Sequence, residues 1–86
     1  GQVVVEGPDR DAFLQNITTQ DMRLLGTRPL IYSCLLSPQG KFLHDVFIRT
    51  ENDSCILECE GGDRTDHLLR HMKPYKIGRK VTLSVV

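Results

Sequence analysis

The chain has 86 residues, 40% hydrophobic and 26% charged, with eleven lysines and arginines set against eleven aspartates and glutamates. That length holds one compact domain and is too short for two, and the even charge balance removes the electrostatic argument for nucleic acid as a direct ligand. No apolar run approaches the length that spans a bilayer and no signal-peptide pattern is visible, so membrane insertion is not expected.

QVVVEG (2–7) is a β-branched run ended by Gly7-Pro8. A strand starting at the second residue reads as part of a fragment cut from a longer chain. DRDAFLQNI (9–17) carries helix N-terminal chemistry: Asp9 can cap, Pro8 and Asp11 suit the first turn, and Ala12, Phe13 and Ile17 repeat at helical spacing. Thr18 or Thr19 can then cap one more short turn, closed by Gly26. LIYSCLLSP (30–38) and GKFLHDVFIRT (40–50) read as two strands joined by SPQG, with Pro38 at i+1 of a type I turn and Gly40 at i+3. ENDS (51–54) is a second turn and DSCILECE alternates like a third hairpin strand. Asp63 offers an N-cap to RTDHLLRHMK, whose apolar stripe is Leu68, Leu69 and Met72 and which Pro74 ends. RKVTLSVV is a last strand. The order β-α-β-β-β-α-β predicts an α+β fold, a mostly antiparallel sheet with helices on one face.

The cysteines, Cys34, Cys55 and Cys59, are odd in number and lack a C-x-x-C pair, which argues against a disulfide framework. Placed on one strand, Cys55 and Cys59 would stand roughly 13 Å apart, too far to share a metal bound at about 2.3 Å. They read as small buried hydrophobes.

Asp45 is the anomaly, a carboxylate among Val46, Phe47 and Ile48. If Ser37 and Gly40 close a two-residue tip, Tyr32 lies opposite Asp45, Cys34 opposite Leu43 and Leu30 opposite Phe47. One face would then carry those six residues; the other would pair Ser33 with His44 among Ile31, Leu35, Phe42 and Val46. A bulge at Gly40 would shift the register. A carboxylate on an apolar wall is costly unless hydrogen-bonded or neutralised. Either Asp45 accepts a bond from Tyr32 or a backbone amide, or sits where the sheet meets solvent, or Tyr32 and Asp45 orient a ligand in a pocket. His44 opposite Ser33 lacks a third, orienting acid and reads as an interior or edge histidine. His67 and His71, four apart on the second helix, have metal-compatible spacing but no HExxH pattern and no evident third ligand, so no metal site is assigned. Lys73, Lys76, Arg79 and Lys80 are the one basic concentration, either a solvated face or an anchor for an anionic ligand or partner.

Taken together, VEGPDRDAFLQNITTQD, YSCLLSPQGKFLHDVFI, ILECE and HMKPYKIGRKVTL resemble the N-terminal part of the YgfZ-type folate-binding proteins, relatives of the glycine-cleavage T-protein (aminomethyltransferase). The most specific elements are Gly7, Asp9, Phe13, Leu14, Gln15, Thr19 and Asp21; the hairpin Pro38 to Asp45; and Tyr75, Lys76, Ile77, Lys80 and Val81. The resemblance runs end to end and is closest to the branch with the mitochondrial iron–sulfur assembly protein and its bacterial counterparts. It implies that residues 1–86 are the first subdomain of an aminomethyltransferase-like folate-binding domain. It also implies tetrahydrofolate as cofactor, with the hairpin aspartate and the preceding tyrosine, Asp45 and Tyr32, among its contacts.

Two departures stand out. The T-protein branch tends to carry two adjacent acids where this chain has His44-Asp45, and the K-G-C-[YF]-x-G-Q-E segment that marks the YgfZ branch would lie past Val86. Three functions are expected in order: a tetrahydrofolate-binding accessory protein in iron–sulfur cluster assembly or repair, supporting tRNA-modifying enzymes in bacteria; an aminomethyltransferase with Asp45 handling a folate proton; and an interaction module docking through Lys73–Lys80. Iron–sulfur assembly proteins are the expected partners. The compartment is the bacterial cytoplasm or, in a eukaryote, the mitochondrial matrix. An open sheet edge could also let the chain dimerise.

Overall fold

The computed structural model describes residues 1–86. Five strands, β1 (Gln2–Glu6), β2 (Ile31–Leu36), β3 (Phe42–Glu51), β4 (Ser54–Glu58) and β5 (Thr82–Val85), form one sheet in the order β2-β3-β4-β1-β5. Every neighbouring pair is antiparallel. Helix α1 (Arg10–Ile17) follows β1 and helix α2 (Asp63–Met72) follows β4, with short 3-10 turns at Met22–Gly26 and Lys73–Lys76. The predicted element order and antiparallel α+β architecture are those observed.

Period-two alternation decides which side of the sheet is buried. Val3 and Val5 of β1, Ile31, Ser33 and Leu35 of β2, His44, Val46 and Ile48 of β3, and Cys55 and Leu57 of β4 are all buried. Onto this layer the helices set Phe13 and Leu14 from α1 and Thr65, Leu68 and Met72 from α2. The α2 positions recur at i, i+3 and i+7, one stripe of a helix. Burying each large apolar side chain of this layer stabilises the fold by about 1.5–3 kcal/mol relative to leaving it in water. The helices occupy that side, while the reverse side of the sheet exposes Tyr32, Leu36, Phe42 and Phe47.

Local chemistry departs from expectation at the caps. Asp9 precedes α1 but its side chain makes no cap bond; Asp9 Oδ2 instead accepts from Lys80 N at 2.7 Å, while Asp9 N donates to Lys80 O at 3.3 Å. The short turn is capped by Asp21, which accepts from Arg23 N, and not by Thr18 or Thr19. Thr18 Oγ1 donates back to Leu14 O at 2.7 Å. Thr19 pairs with the edge of β2: its N donates to Cys34 O at 3.0 Å and its Oγ1 accepts from Cys34 N at 3.1 Å. Asp63 is the first residue of α2, with Gly62 at the cap, so its charge serves the helix dipole. Gln15 Oε1 accepts from Met22 N at 2.8 Å, joining α1 to the turn that follows.

The β2–β3 hairpin is also wider than a two-residue tip. Gly40 N donates to Ser37 O at 2.9 Å and Ser37 N to Lys41 O at 2.7 Å, with Gly40 at φ +83°. This is a type I turn followed by a left-handed glycine, which adds a residue to the loop. A second irregularity between Leu35 and Leu36 leaves Leu43 without a partner. Partner numbers therefore sum to 78 at Leu36–Phe42 and to 79 from Leu35 back to Ile31, where a two-residue tip gives 77.

Candidate functional site

Two single-residue shifts move the register by an even number, so the side-chain faces survive while the partners change. Tyr32 faces Phe47, Cys34 faces Asp45 and Leu35 faces His44; the expected pairs Tyr32–Asp45, Cys34–Leu43 and Ser33–His44 do not form. Tyr32 and Asp45 remain on one face as diagonal neighbours, within reach of each other. Tyr32 Oη donates to Asp45 Oδ2 at 3.0 Å, and the Tyr32 and Phe47 rings lie 5.4 Å apart at 60°. Phe42, expected on the face of Ser33 and His44, pairs with Leu36 beyond the bulge and is 59% exposed.

This wall is an open surface and not a core. Tyr32 is 48% and Phe47 46% exposed, and Asp45 is exposed beside them. Both structural readings of Asp45 hold together: it accepts from Tyr32 where the sheet meets solvent. The hydrogen bond to Asp45, with a smaller effect from Cys34, pushes the Tyr32 phenol up to about 12. The pair therefore presents a neutral phenol beside its acceptor at neutral pH.

A groove of 270 Å³ runs along this face, lined by Tyr32, Asp45, Phe47, Glu58, Cys59 and Glu60 among others. Glu58 was not singled out by sequence reasoning. Its carboxylate accepts from Gln2 Nε2 and Arg49 Nη1, each at 2.9 Å, and these bonds hold it below the usual carboxylate range. Its register position opposite Phe47 puts it there, a signal readable only once β3 and β4 are paired. The groove thus joins aromatic rings to fixed acceptors, which suits a flat ring bearing hydrogen-bond donors. Its volume falls just under the range of about 300–1,000 Å³ common for small-molecule sites. A larger groove of 400 Å³, lined by Asp11, Ala12, Gln15, Met22 and Arg23, lies on the helix side away from this chemistry.

Behind Asp45, on the helix side of β3, lies a cluster the sequence did not reveal. His44 is 1% exposed and its Nε2 stands 2.7 Å from Nδ1 of His67. The ring of His44 is 4.8 Å from that of His67 and 6.2 Å from that of His71. The reading of His44 as an interior histidine holds, but its partner is His67 and not a residue of β2. Burial, then Arg64 and the other two histidines, push His44 down to about 4; burial also lowers His71. Arg64 Nη2 donates to Leu43 O at 2.6 Å, taking up the carbonyl of the bulge residue. No three His, Cys, Asp or Glu side chains stand ready-converged on a metal position.

Because the unfolded chain protonates His44 near pH 6.5 and the folded chain only near 4, the unfolded state binds more protons between those values. Stability that is full above about 6.5 is therefore lost as pH falls toward 4. In an NMR pH titration His44 Hε1 should move with a midpoint well over a unit below that of free imidazole; a midpoint near 6.5 would mean that water reaches the ring.

The remaining assignments are plainly placed. Lys73, Lys76, Arg79 and Lys80 are exposed, and the ion pairs present, Arg23–Asp21, Arg49–Glu51 and Arg49–Glu58, involve none of them. All three cysteines are free; Cys55 is buried, Cys34 and Cys59 are half-buried, and Cys59 lies just past the end of β4 and not within it. No helix is long and apolar enough to cross a membrane.

The fold matches part of one glycine-cleavage aminomethyltransferase of known structure. Over 99% of its length the chain superposes on the glycine cleavage system aminomethyltransferase T from Bartonella henselae with a TM-score of 0.85 and 22% identity, covering 24% of that chain. In sequence it is similar to the mitochondrial iron–sulfur cluster assembly factors IBA57. It is 30% identical over 88 residues to the homolog from Pyricularia oryzae and 34% identical over 96 residues to that of Mus musculus. These alignments take in 98% and 95% of the chain but only 22% and 26% of the relatives, so it spans about a fifth to a quarter of their length. A shorter match, 40% identical over 47 residues, is to an aminomethyltransferase of Bordetella petrii, covering 54% of this chain and 13% of that protein. No family model matches.

Proposed function

We propose that this chain is the first subdomain of a folate-binding accessory protein of iron–sulfur cluster assembly, of the YgfZ type, and that its open sheet face holds part of a tetrahydrofolate. The observation that carries the reading is the Tyr32–Asp45 pair beside Phe47 and Glu58 in an exposed aromatic groove. Similarity to IBA57 factors supports the assembly role, iron–sulfur assembly proteins as partners, and a mitochondrial location. The groove is large enough for a fused ring and too small for a whole folate, so the proposed ligand also needs walls from outside these residues.

Aminomethyl transfer is the second reading, favoured by the Bordetella petrii match and the shared fold. The absence of a first acid at position 44 carries little weight against it. His44 is buried against His67 and shares with Asp45 only a smaller groove of 190 Å³, closed on its other side by Arg64.

A backbone-amide NMR titration with 5-formyl-tetrahydrofolate tests the ligand. Saturable shifts centred on Tyr32, Asp45, Phe47 and Glu58, lost in Asp45→Asn, are expected. Saturable shifts confined to another surface, or unchanged in the variant, would remove the folate assignment from this face.

A further inference from the structure

His67 and His71 are one helical turn apart on α2, and i and i+4 positions share a helix face. Sequence alone offers them no third ligand. The fold brings one, because the even register shift keeps His44 on the side of β3 that α2 covers. We propose that His44, His67 and His71 form a binding site for one divalent transition-metal ion of the class that favours imidazole nitrogen, such as zinc, cobalt or copper(II). The His67 and His71 rings stand on the helix side of the sheet, across β3 from the groove of Tyr32, Phe47 and Glu58.

Several observations support it. The Nε2 of His44 and the Nδ1 of His67 face each other at 2.7 Å, so an ion can take the place of the hydrogen between them. Two nitrogens bound to one tetrahedral ion at ~2.05 Å stand roughly 3.3 Å apart, so the pair must open by roughly 0.6 Å from its 2.7 Å contact. His67 is exposed and free to make that movement, whereas His44 is fixed in the core.

His71, one helical turn further along α2, places its ring 6.2 Å from that of His44. An open groove of 390 Å³, lined by Leu43, His67, Arg70 and His71, supplies the entry path and room for completing waters. Arg64, bonded to Leu43 O, and Arg70 oppose a cation here, so moderate affinity is expected.

Cobalt(II) titration of the chain near pH 7.5 tests the proposal. One ion per chain is expected, with visible d–d absorption, no thiolate-to-cobalt charge-transfer band, and displacement by zinc. His67→Ala and His71→Ala, both at the rim, should each weaken binding by about tenfold or more while leaving the far-ultraviolet circular dichroism unchanged. Absence of saturable absorption overturns the site. So does binding that ignores either variant, and so does a thiolate band, which would put the metal on the cysteines.

Discussion

Gly7→Ala should unfold the chain at far lower temperature than the parent, by about 3 kcal/mol or more of lost stability. Gly7 sits at φ +117°, a conformation closed to residues with a side chain, and an added Cβ would stand 2.2 Å from the Lys80 carbonyl oxygen and 3.0 Å from the Val81 Cα. Both contacts are backbone, so no side chain can swing aside. The same junction carries the reciprocal bonds between Asp9 and Lys80, and Arg10 N donates to Gly7 O at 3.2 Å. Pushing Lys80 away would therefore pull β5 from β1 as well as disturb the start of α1. For a domain of this size that loss corresponds to a fall in Tm on the order of 15 °C, read by thermal melts. Gly26→Ala is the control: it has nothing within 4 Å of the added carbon, and its Tm should stay close to that of the parent. Equal Tm values for the two variants would show that the Gly7 junction yields.

Asp45→Asn should bring the Tyr32 phenol down from about 12 toward its ordinary value near 10. Asp45 is the largest cause of the elevation, because its carboxylate accepts the Tyr32 hydrogen and opposes a phenolate beside it. The neutral amide still accepts a hydrogen bond but no longer repels the phenolate. The sign for stability follows. Tyr32 loses its proton near 10 in the unfolded chain and near 12 in the folded one, so the folded state holds more protons between them. Its contribution is complete below about 10 and is lost as pH rises toward 12. A pH titration of the Tyr32 ring resonances reads this directly. An unchanged midpoint in the variant would mean that the Tyr32–Asp45 bond does not persist in solution, and the oriented pair in the groove would go with it.

The elements were legible in the sequence because β-branched runs, turn residues and one helical stripe announce themselves locally. Facing was legible too, except for Phe42 beyond the bulge, although the pairing was not. The left-handed Gly40 and the unpaired Leu43 each displace the strand by one residue, and the two displacements leave Tyr32 and Asp45 on a common face. What stayed hidden was anything requiring two distant segments at once. Asp9 looked like a helix cap, but its carboxylate bonds a residue seventy-one positions away. Glu58 and the meeting of His44 with His67 likewise depend on contacts between elements. Several motif residues behind the family resemblance prove to have structural work: Gly7, Asp9 and Lys80 make one junction, and Gln15, Thr19 and Asp21 fix the segment between α1 and β2.

The strand order also sets a timetable for synthesis. β2, β3 and β4 form a meander that can zip as it emerges, but β1, made first, pairs only with β4 and β5. Val3 meets Leu57 on one side and Val85 on the other. Among these five strands, QVVVE is therefore synthesised before either of its partners, and its second edge is paired only once β5 follows. During that interval QVVVE has an unpaired edge that a neighbouring nascent copy or a chaperone can reach, so within this sheet the earliest strand is the last one secured.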